Sequence, residues 1–265
     1  MEGISVTADF DLTGRAAIVT GGNGGIGLGM AKALARAGCA VSIWGRNPEK
    51  NRAALAELSE CGARVEARTC DVTDRAAIED AFAGTLQAFG RVDGCFANAG
   101  MGASSQHAFV DRSEDEWRRM FATNLDGVFH VFQVALRHMI KRAEGGDRFG
   151  RLVATSSVAS LFAMPGGEHY AATKAALNEL VRTLAVEHAR YGVTANSILP
   201  GWIETDMTAI VRANEKFVGA MMRRTPMRRF GKPADFGGIA VYLMSALSSY
   251  HTGDCLVIDG GYSSC

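Results

Sequence analysis

The sequence lacks any stretch of about 18 apolar residues, the length that a helix needs to cross a bilayer. Its N-terminus also lacks the basic segment followed by an apolar run that marks a secretory signal. We therefore expect a soluble, cytoplasmic protein without a membrane partner.

Net charge is missing as well, because 28 basic residues are balanced by 28 acidic ones. A balanced chain has no excess of positive charge to attract nucleic acid or an anionic membrane, and we predict neither as a partner. The six cysteines show neither the spacing of disulfide pairs nor that of a metal site. We predict reduced thiols and no bound metal.

What the chain does have is a large apolar fraction, 48% of 265 residues, with no linker, repeat or low-complexity segment. Short apolar runs alternate with segments of helical periodicity, which is typical of a parallel sheet covered by helices. We predict one α/β domain over residues 1–265, a doubly wound Rossmann-type sheet of seven parallel strands with helices on both faces. The predicted strands are Ala16–Thr20, Ala40–Trp44, Val65–Thr69, Val92–Ala97, Leu152–Ala154, Thr194–Leu199 and Cys255–Gly261.

A glycine-rich turn directly follows the first strand and leads into a predicted helix. Backbone N–H groups at a helix N-terminus favour a phosphate, and glycine lets a pyrophosphate approach the backbone closely. The spacing Gly-x-x-x-Gly-x-Gly differs from the usual dinucleotide pattern, and no ATP P-loop follows, so an ordinary turn is the alternative. The residues that we expect to bind phosphate are Gly21, Asn23, Gly25, Ile26 and Gly27.

The second strand ends at Gly45-Arg46, and no carboxylate follows until Glu49. In dinucleotide folds an acidic residue here bonds the 2′-hydroxyl of NAD, whereas an arginine accommodates the 2′-phosphate of NADP. We predict that NADP is preferred and that NAD is possible. Alternatively, Arg46 is a solvated charge or stacks on the adenine without selecting either cofactor.

Other polar or small residues follow later strands, where parallel sheets bind their ligands. Asp71 and Val72 follow the third strand, with Asp71 placed to meet the adenine, and Asn98 and Gly100 follow the fourth. Asn124 lies inside a long predicted helix, where asparagine is unhelpful to stability. It faces solvent or has a buried role.

Tyr170 and Lys174 lie four residues apart in a predicted helix and therefore share a face. A cation beside a phenol lowers the phenol's pKa, ordinarily about 10, and makes it an acid or base for a substrate oxygen. Alone, this motif is weak, and a tyrosine on an amphipathic surface is the alternative.

The Met- and Ala-rich segment 206–226 is predicted to form a helical flap over a substrate pocket, or ordinary packing. The expected pocket is largely apolar, so sugar lactones, 3-oxoacyl thioesters, steroids and small ketones all remain open as substrates. Its expected lining is 101–110, 159–164, Trp202, Met207, Phe217 and Met221.

Taken together, the motifs of the chain are Thr20-Gly21-x-x-x-Gly25-x-Gly27, Asp71, Asn98-Ala99-Gly100, Asn124, Ser157, Tyr170-x-x-x-Lys174, Pro200-Gly201 with Thr205, and Asp259-Gly260-Gly261. In this order and spacing they resemble the short-chain dehydrogenase/reductase family in its compact single-domain branch, over about residues 12–262. The departures are Ala97, where many members carry a second Asn, and Thr173, where Ser is common; neither concerns the chemistry.

The resemblance implies an oxidoreductase that transfers a hydride between a nicotinamide cofactor and a ketone or secondary alcohol. It implies that Tyr170 is the general acid or base and that Ser157 hydrogen-bonds the substrate oxygen. Lys174 would lower the tyrosine pKa and bind the nicotinamide ribose, and Asn124 would support a water in a proton relay. Tyr170 and Lys174 would thus also contact the cofactor, together with Pro200, Gly201, Ile203 and Thr205 near the carboxamide.

Two further expectations complete the interpretation. We expect a homotetramer, as in most of the family, because the two long helices carry apolar residues on more than one face. The alternative functions are a non-catalytic dinucleotide-binding sensor on the same fold, and an NAD-dependent polyol, sugar or 3-oxoacyl-thioester dehydrogenase. A sensor would need none of Ser157, Tyr170 and Lys174, yet all three are present.

Overall fold

Seven parallel strands form one sheet in the computed structural model, which describes residues 9–103 and 108–265. The order β3-β2-β1-β4-β5-β6-β7 reverses direction between β1 and β4, as in a doubly wound fold. The predicted fold class is therefore confirmed. The strands are β1 (Ala16–Thr20), β2 (Ala40–Gly45), β3 (Val65–Thr69), β4 (Gly94–Ala97), β5 (Gly150–Thr155), β6 (Val193–Pro200) and β7 (Cys255–Ile258).

The central strands are buried on both faces because helices cover the sheet on each side. Strands β1, β4, β5 and β6 contain only buried residues, which explains their apolar runs. Successive side chains of a strand point to opposite faces, so Ile18 and Val19 belong to two separate core clusters. Phe132 and Leu177 pack in the first cluster, and Leu34 in the second.

Within the described residues, nine α-helices and several short 3₁₀ turns connect the strands, and four of the α-helices begin at a side chain that caps them. Asn47 accepts hydrogen bonds from Glu49 N and Lys50 N, and Ser113 forms a capping box with Glu116. Asp74 caps the helix after β3, accepting hydrogen bonds from the backbone N–H groups of Ala76 and Ala77. The α-helices are α1 (Gly25–Arg36), α2 (Pro48–Ser59), α3 (Arg75–Phe89), α4 (Glu114–Phe121), α5 (Gly127–Glu144), α6 (Glu168–His188), α7 (Ala209–Arg212), α8 (Glu215–Arg224) and α9 (Gly237–Met244).

The long helix that the sequence predicts from Ser113 to about Arg142 is interrupted. A π-helical turn, Ala122–Asp126, separates α4 from α5. Such turns insert an extra residue into a helix and occur frequently at functional sites. Here the turn contains Asn124, whose side chain is fully buried.

The Met- and Ala-rich segment after β6 is helical, as predicted. It consists of a 3₁₀ turn (Asp206–Thr208), α7 and α8. In the described residues, no helix combines the length and apolar character needed to cross a bilayer.

Candidate active site

The predicted site residues converge on one edge of the sheet. They follow the carboxyl ends of β1 to β6 or lie at the beginning of α1 and α6, which is the edge where open parallel sheets bind ligands. The structure therefore brings together Gly21, Asn23, Gly25, Ile26, Gly27, Arg46, Asp71, Val72, Asn98, Gly100, Ser157, Tyr170, Lys174, Pro200, Gly201, Ile203 and Thr205.

The turn after β1 leaves its backbone close to the edge of the sheet. Gly21 and Gly25 have positive φ values of 62° and 51°, which favour glycine. Gly24 precedes α1, and no described side chain caps this helix, so its first N–H groups are available to an anion. A Cβ atom on Gly27 would overlap the carbonyl oxygen of Gly21. These features fit the pyrophosphate of a dinucleotide.

Asn98 connects this turn to β5 through hydrogen bonds on both sides. Its side-chain nitrogen donates to the carbonyl oxygens of Thr20 (3.1 Å) and Gly21 (3.3 Å), and its Oδ1 accepts from Thr155 Oγ1 at 3.1 Å. The Thr20 hydroxyl in turn accepts from the backbone N–H of Asn98 and of Ala99. Asn98 thus supports the glycine turn from the neighbouring strand. The sequence analysis missed the roles of Thr20 and Thr155 as its partners.

The end of β2 has no room for a side chain at Gly45. A Cβ atom there would overlap the Asn23 amide and lie 2.6 Å from Asn51 Oδ1. Asn23 Nδ2 donates to Asn51 Oδ1 at 2.7 Å, and the buried Asn51 donates to the carbonyl oxygen of Gly45 at 2.9 Å. An asparagine pair therefore occupies the space that an NAD-selective carboxylate at this position would need.

Arg46 follows Gly45 and extends into solvent, with 72% of its side chain exposed. Its Nη1 lies 3.8 Å from Asp71 Oδ2, which joins the ends of β2 and β3. Asp71 also accepts from the backbone N–H (2.9 Å) and the hydroxyl (2.8 Å) of Thr73. These hydrogen bonds and the Arg46 charge outweigh the opposing effect of burial, so the pKa of Asp71 lies below its ordinary value. The ionised Asp71 holds the exposed guanidinium near the sheet edge.

Ser157 and Tyr170 meet in the interior of the candidate site. Ser157 follows β5 and is buried, and its hydroxyl also accepts from the backbone N–H of Ala159 at 3.1 Å. Burial raises the pKa of the Tyr170 phenol above its ordinary value, and the hydrogen bond with Ser157 acts in the opposite direction. From the helical spacing we expected Lys174 to lower the pKa of the Tyr170 phenol instead. Spacing along a helix does not reveal how deeply a phenol is buried, and here burial dominates.

Lys174 lies one helical turn after Tyr170, as predicted, with 5% of its surface exposed. Its Nζ donates to the carbonyl oxygen of Thr155 at 2.7 Å and lies 5.6 Å from the centroid of the Tyr170 ring. Burial lowers the pKa of this ammonium group to about 8. The lysine is therefore anchored to the end of β5, next to Ser157, with its charge close to the phenol.

Asn124 is completely buried in the π-helical turn. Its Oδ1 accepts from the backbone N–H of Met101 at 2.8 Å, and its Nδ2 donates to the Met101 carbonyl oxygen at 3.0 Å. A Cβ atom on Gly100 would lie 3.3 Å from Asn124 Oδ1 and 3.6 Å from Lys174 Nζ. Asn124 and Lys174 thus border the same small space beside Gly100. Of the two readings that the sequence left open, the buried one is correct.

The remaining predicted residues hold the edges of the site in place. Ile203 is buried and forms an isolated bridge with Gly231, and Thr205 approaches the glycine turn, its Cγ2 lying 3.1 Å from a Cβ position on Gly25. Val72 is buried and packs against Gly127, at the beginning of α5. Pro200 ends β6 and Gly201 follows it, with the Gly201 N–H donating to the carbonyl oxygen of Ile258.

An apolar cluster lies beyond Ser157, where a substrate pocket was expected. It contains the predicted Phe162, Trp202 and Met221, and Phe217 packs edge-on against Trp202 with ring centroids 4.9 Å apart. Tyr262, which the sequence analysis missed, also belongs to it. Its only sequence signal is its position directly after Gly260-Gly261. Met207 lies beside Gly102, and the expected lining at 104–107 falls outside the described residues.

Similarity to known proteins covers nearly the whole chain. The profile of a family described as enoyl-(acyl carrier protein) reductase matches residues 21–263. The 3-oxoacyl-(acyl-carrier-protein) reductase FabG of Chlamydia pneumoniae is 34% identical over 253 residues, which are 96% of this chain and 98% of that protein. The gluconate 5-dehydrogenase of Gluconobacter oxydans (strain 621H) is 36% identical over 252 residues, 95% of this chain and 96% of that protein.

A solved structure shows the same architecture. The gluconate 5-dehydrogenase from Burkholderia cenocepacia J2315, in complex with NADP and tartrate, has a TM-score of 0.91 at 34% identity, covering 98% of this chain and 99% of that one. Sequence, fold and the arrangement of the site agree. The chain belongs to the short-chain dehydrogenase/reductase family and is a nicotinamide-dinucleotide-dependent oxidoreductase of alcohols and carbonyl compounds.

Proposed function

We propose that the protein interconverts a small ketone and a secondary alcohol, prefers NADP, and uses Ser157, Tyr170 and Lys174 at its reacting centre. The observation that carries this proposal is the contact of the Ser157 and Tyr170 hydroxyls in a buried site beside the Lys174 ammonium. A non-catalytic sensor would have no use for this arrangement.

The raised pKa of Tyr170 keeps the phenol protonated near neutral pH, which suits a proton donor to a carbonyl oxygen during reduction. Ser157 shares this position and supplies a second hydrogen bond to the same substrate oxygen. Lys174 holds a positive charge beside the phenol and stabilises the phenolate once the proton has left. In the oxidation direction the same phenolate accepts the proton from the alcohol.

The residues of the sheet edge would hold the dinucleotide. Gly21, Asn23, Gly25, Ile26 and Gly27 would offer the pyrophosphate a helix N-terminus, and Asp71 and Val72 would border the adenine. When bound, the nicotinamide supplies or accepts the hydride. The nicotinamide end would meet Asn98, Gly100, Tyr170, Lys174, Pro200, Gly201, Ile203 and Thr205. Asn124 fixes Met101 and, in this proposal, supports a water that links Lys174 to solvent.

The preference for NADP rests on Arg46 and Gly45. The Arg46 guanidinium lies exposed at the end of β2, and the Asn23–Asn51 pair fills the place of an NAD-selective carboxylate. The solved gluconate 5-dehydrogenase contains NADP, which supports the same choice here.

Reduction of a 3-oxoacyl thioester is the second candidate. The description of the matching family and the FabG relative favour it. The apolar cluster of Val158, Leu199 and Tyr262 would suit an acyl chain. A polar substrate would instead need hydrogen-bonding side chains at the edge of this cluster.

We propose a homotetramer as the assembly, because the exposed apolar side chains of the described residues include two groups in separate places. Phe129 on α5 and Val186 on α6 are 46% and 84% exposed, and Leu247, Tyr250 and Val257 are exposed around β7. Each patch is suited to contact its own copy on another subunit, and two such contacts give a closed tetramer.

The test is turnover by the purified protein. A panel of sugar ketones, acetoacetyl thioesters and small cyclic ketones is reduced with NADPH and, in parallel, with NADH, while absorbance at the reduced nicotinamide band is followed. We expect at least one carbonyl class to be reduced, with NADPH favoured. Binding of nucleotide without turnover of any carbonyl or alcohol would contradict the proposal and favour the sensor.

A further inference from the structure

Arg224 is held against two aromatic rings at the end of α8. Its guanidinium carbon lies 4.1 Å from the centroid of Tyr262 and 5.3 Å from that of Phe162. The two ring centroids are themselves 5.7 Å apart. Contact with two rings at once restricts where the guanidinium can lie, so that less of its freedom is lost when it binds a ligand.

The two rings place Arg224 on the substrate side of the site. Phe162 and Tyr262 belong to the apolar cluster with Val158, which directly follows Ser157 in the chain. Phe162 lies on the loop between Ser157 and Tyr170. Arg224 therefore lies at the exposed edge of this apolar cluster, with its guanidinium against two of the cluster's rings.

No ion pair within the described residues neutralises Arg224, and no hydrogen bond of its side chain occurs there either. The neighbouring Arg229 is paired with Asp235, at 2.6 Å. Arg224 is also not the side chain that binds the free carbonyl groups at the end of α8. Arg228 donates to two of them, the carbonyl oxygens of Met222 and Arg223, both at 2.7 Å. The N–H donors of Arg224 therefore have no protein acceptor among those residues.

We propose that Arg224 binds the carboxylate of the substrate, so that the protein acts on a small hydroxy acid and the corresponding oxo acid. This inference rests on the proposed oxidoreductase function and specifies its substrate class. Arginine matches a carboxylate with two parallel, charge-assisted N–H bonds, and the contact with two rings restricts where the exposed guanidinium can lie. The carbon chain of the substrate would then extend from Arg224 along the edge of the apolar cluster, toward Ser157 and Tyr170.

A pair of substrates that differ in one group tests the proposal. 5-Keto-D-gluconate and L-sorbose carry the same ketone and hydroxyl configuration, and only the former ends in a carboxylate where the latter has a hydroxymethyl group. The measured quantity is the ratio of kcat/KM for 5-keto-D-gluconate to kcat/KM for L-sorbose. It is compared between the wild type, Arg224→Met and Arg223→Met.

Arg223 is the matched control, because it is the adjacent exposed arginine on α8 and has no ring contact in the described structure. We expect a wild-type ratio well above one. In Arg224→Met the ratio should fall by roughly 10- to 100-fold, mostly through KM for the acid, since a hydrogen bond to a charged group is lost. Arg223→Met should leave the ratio unchanged. Arg224→Lys should keep only part of the wild-type ratio, because lysine has the positive charge but not the two parallel N–H donors of a guanidinium.

Three results would overturn the inference. The wild type could reduce L-sorbose or another neutral ketone but not 5-keto-D-gluconate. Alternatively, the kcat/KM ratio of Arg224→Met could equal that of the wild type, or Arg223→Met could lower the ratio as much as Arg224→Met does. In each of these cases turnover of a carbonyl compound continues, so the proposed oxidoreductase function stands. Absence of turnover with every carbonyl compound and both nucleotides would instead refute the proposed function itself.

Discussion

Lys174 illustrates how single residues of the site trade stability for function. A buried ammonium is costly, and burial has lowered the pKa of Lys174 to about 8, from an ordinary 10.5. One hydrogen bond, to the Thr155 carbonyl oxygen, holds it there. A buried lysine beside a phenol, with a strongly shifted pKa, indicates a role in catalysis rather than in stabilising the fold.

This cost gives a pH dependence of stability with a defined sign. Below about pH 8 the folded protein carries the whole cost of the buried charge, and from there to pH 10.5 it releases the proton before the unfolded chain does. The unfolding free energy of the wild type should therefore rise relative to Lys174→Met over that range, by roughly 3 kcal/mol. Urea unfolding without nucleotide measures it. Lys141 is exposed, and Lys141→Met is the control: its difference from the wild type in unfolding free energy should not change between pH 8 and 10.5. If the difference between the wild type and Lys174→Met also stayed constant over this range, the charge of Lys174 would not be buried at a cost.

Arg46 carries the second residue-scale prediction. If its exposed guanidinium contacts the 2′-phosphate, then Arg46→Ala should lower the NADPH to NADH ratio of kcat/KM by roughly 10- to 150-fold, the equivalent of a hydrogen bond to a charged group. Rates with NADH should change little. An unchanged ratio would show that the arginine only stacks or lies in solvent, and a wild type that prefers NADH would overturn the cofactor preference.

At the scale of elements, the contact between α5 and the loop after β3 depends on a glycine. A Cβ atom on Gly127 would lie 2.9 Å from Val72 Cγ2 and 3.0 Å from the Val72 carbonyl oxygen, and a backbone atom cannot move aside cheaply. This contact brings the π-helical turn with Asn124 close to the candidate adenine pocket. Gly127 thus fixes the position of two parts of the site.

We expect Gly127→Ala to lower the free energy of unfolding by about 1–3 kcal/mol, as overpacking does. It should also weaken nucleotide binding, because Val72 must shift. Gly238 in α9 is the matched control: a Cβ atom there meets nothing within 4 Å. Gly238→Ala should be neutral or stabilise by up to about 1 kcal/mol, the usual gain of alanine over glycine in a helix. Equal effects of the two substitutions in urea unfolding would disprove the packing argument.

Local signals predicted the elements well, and long-range contacts account for what they missed. Asn47-Pro48, the Ser113–Glu116 box and Gly90 mark helix ends within a few residues of sequence, and the structure has helix ends at all three. The π-helical turn instead depends on the hydrogen bonds of Asn124 with Met101, 23 residues away. The contacts of Arg224 with Tyr262 and of Asn23 with Asn51 likewise join distant segments, which no spacing rule connects.

Among the residues that the structure describes, the exposed apolar side chains include one group on α5 and α6 and another around β7. We predict a tetramer with two kinds of contact, so that disrupting either should leave dimers. Light scattering should give four times the chain mass for the wild type and twice that mass for Val186→Glu or Val257→Glu. A stable wild-type monomer at micromolar concentration would contradict this assembly.

At the scale of the whole molecule, the fold brings the ends of six strands with site residues to one edge of the sheet. The central claim is that Tyr170 is the proton-transferring group at this edge. Its hydroxyl lies against Ser157 in a buried site beside Lys174. The most direct measurement is kcat of Tyr170→Phe, together with its Kd for NADPH and its thermal unfolding. We predict a fold and a Kd close to those of the wild type and a kcat lower by roughly 10²- to 10⁴-fold, the usual contribution of a general acid. A kcat near that of the wild type would contradict the proposed mechanism.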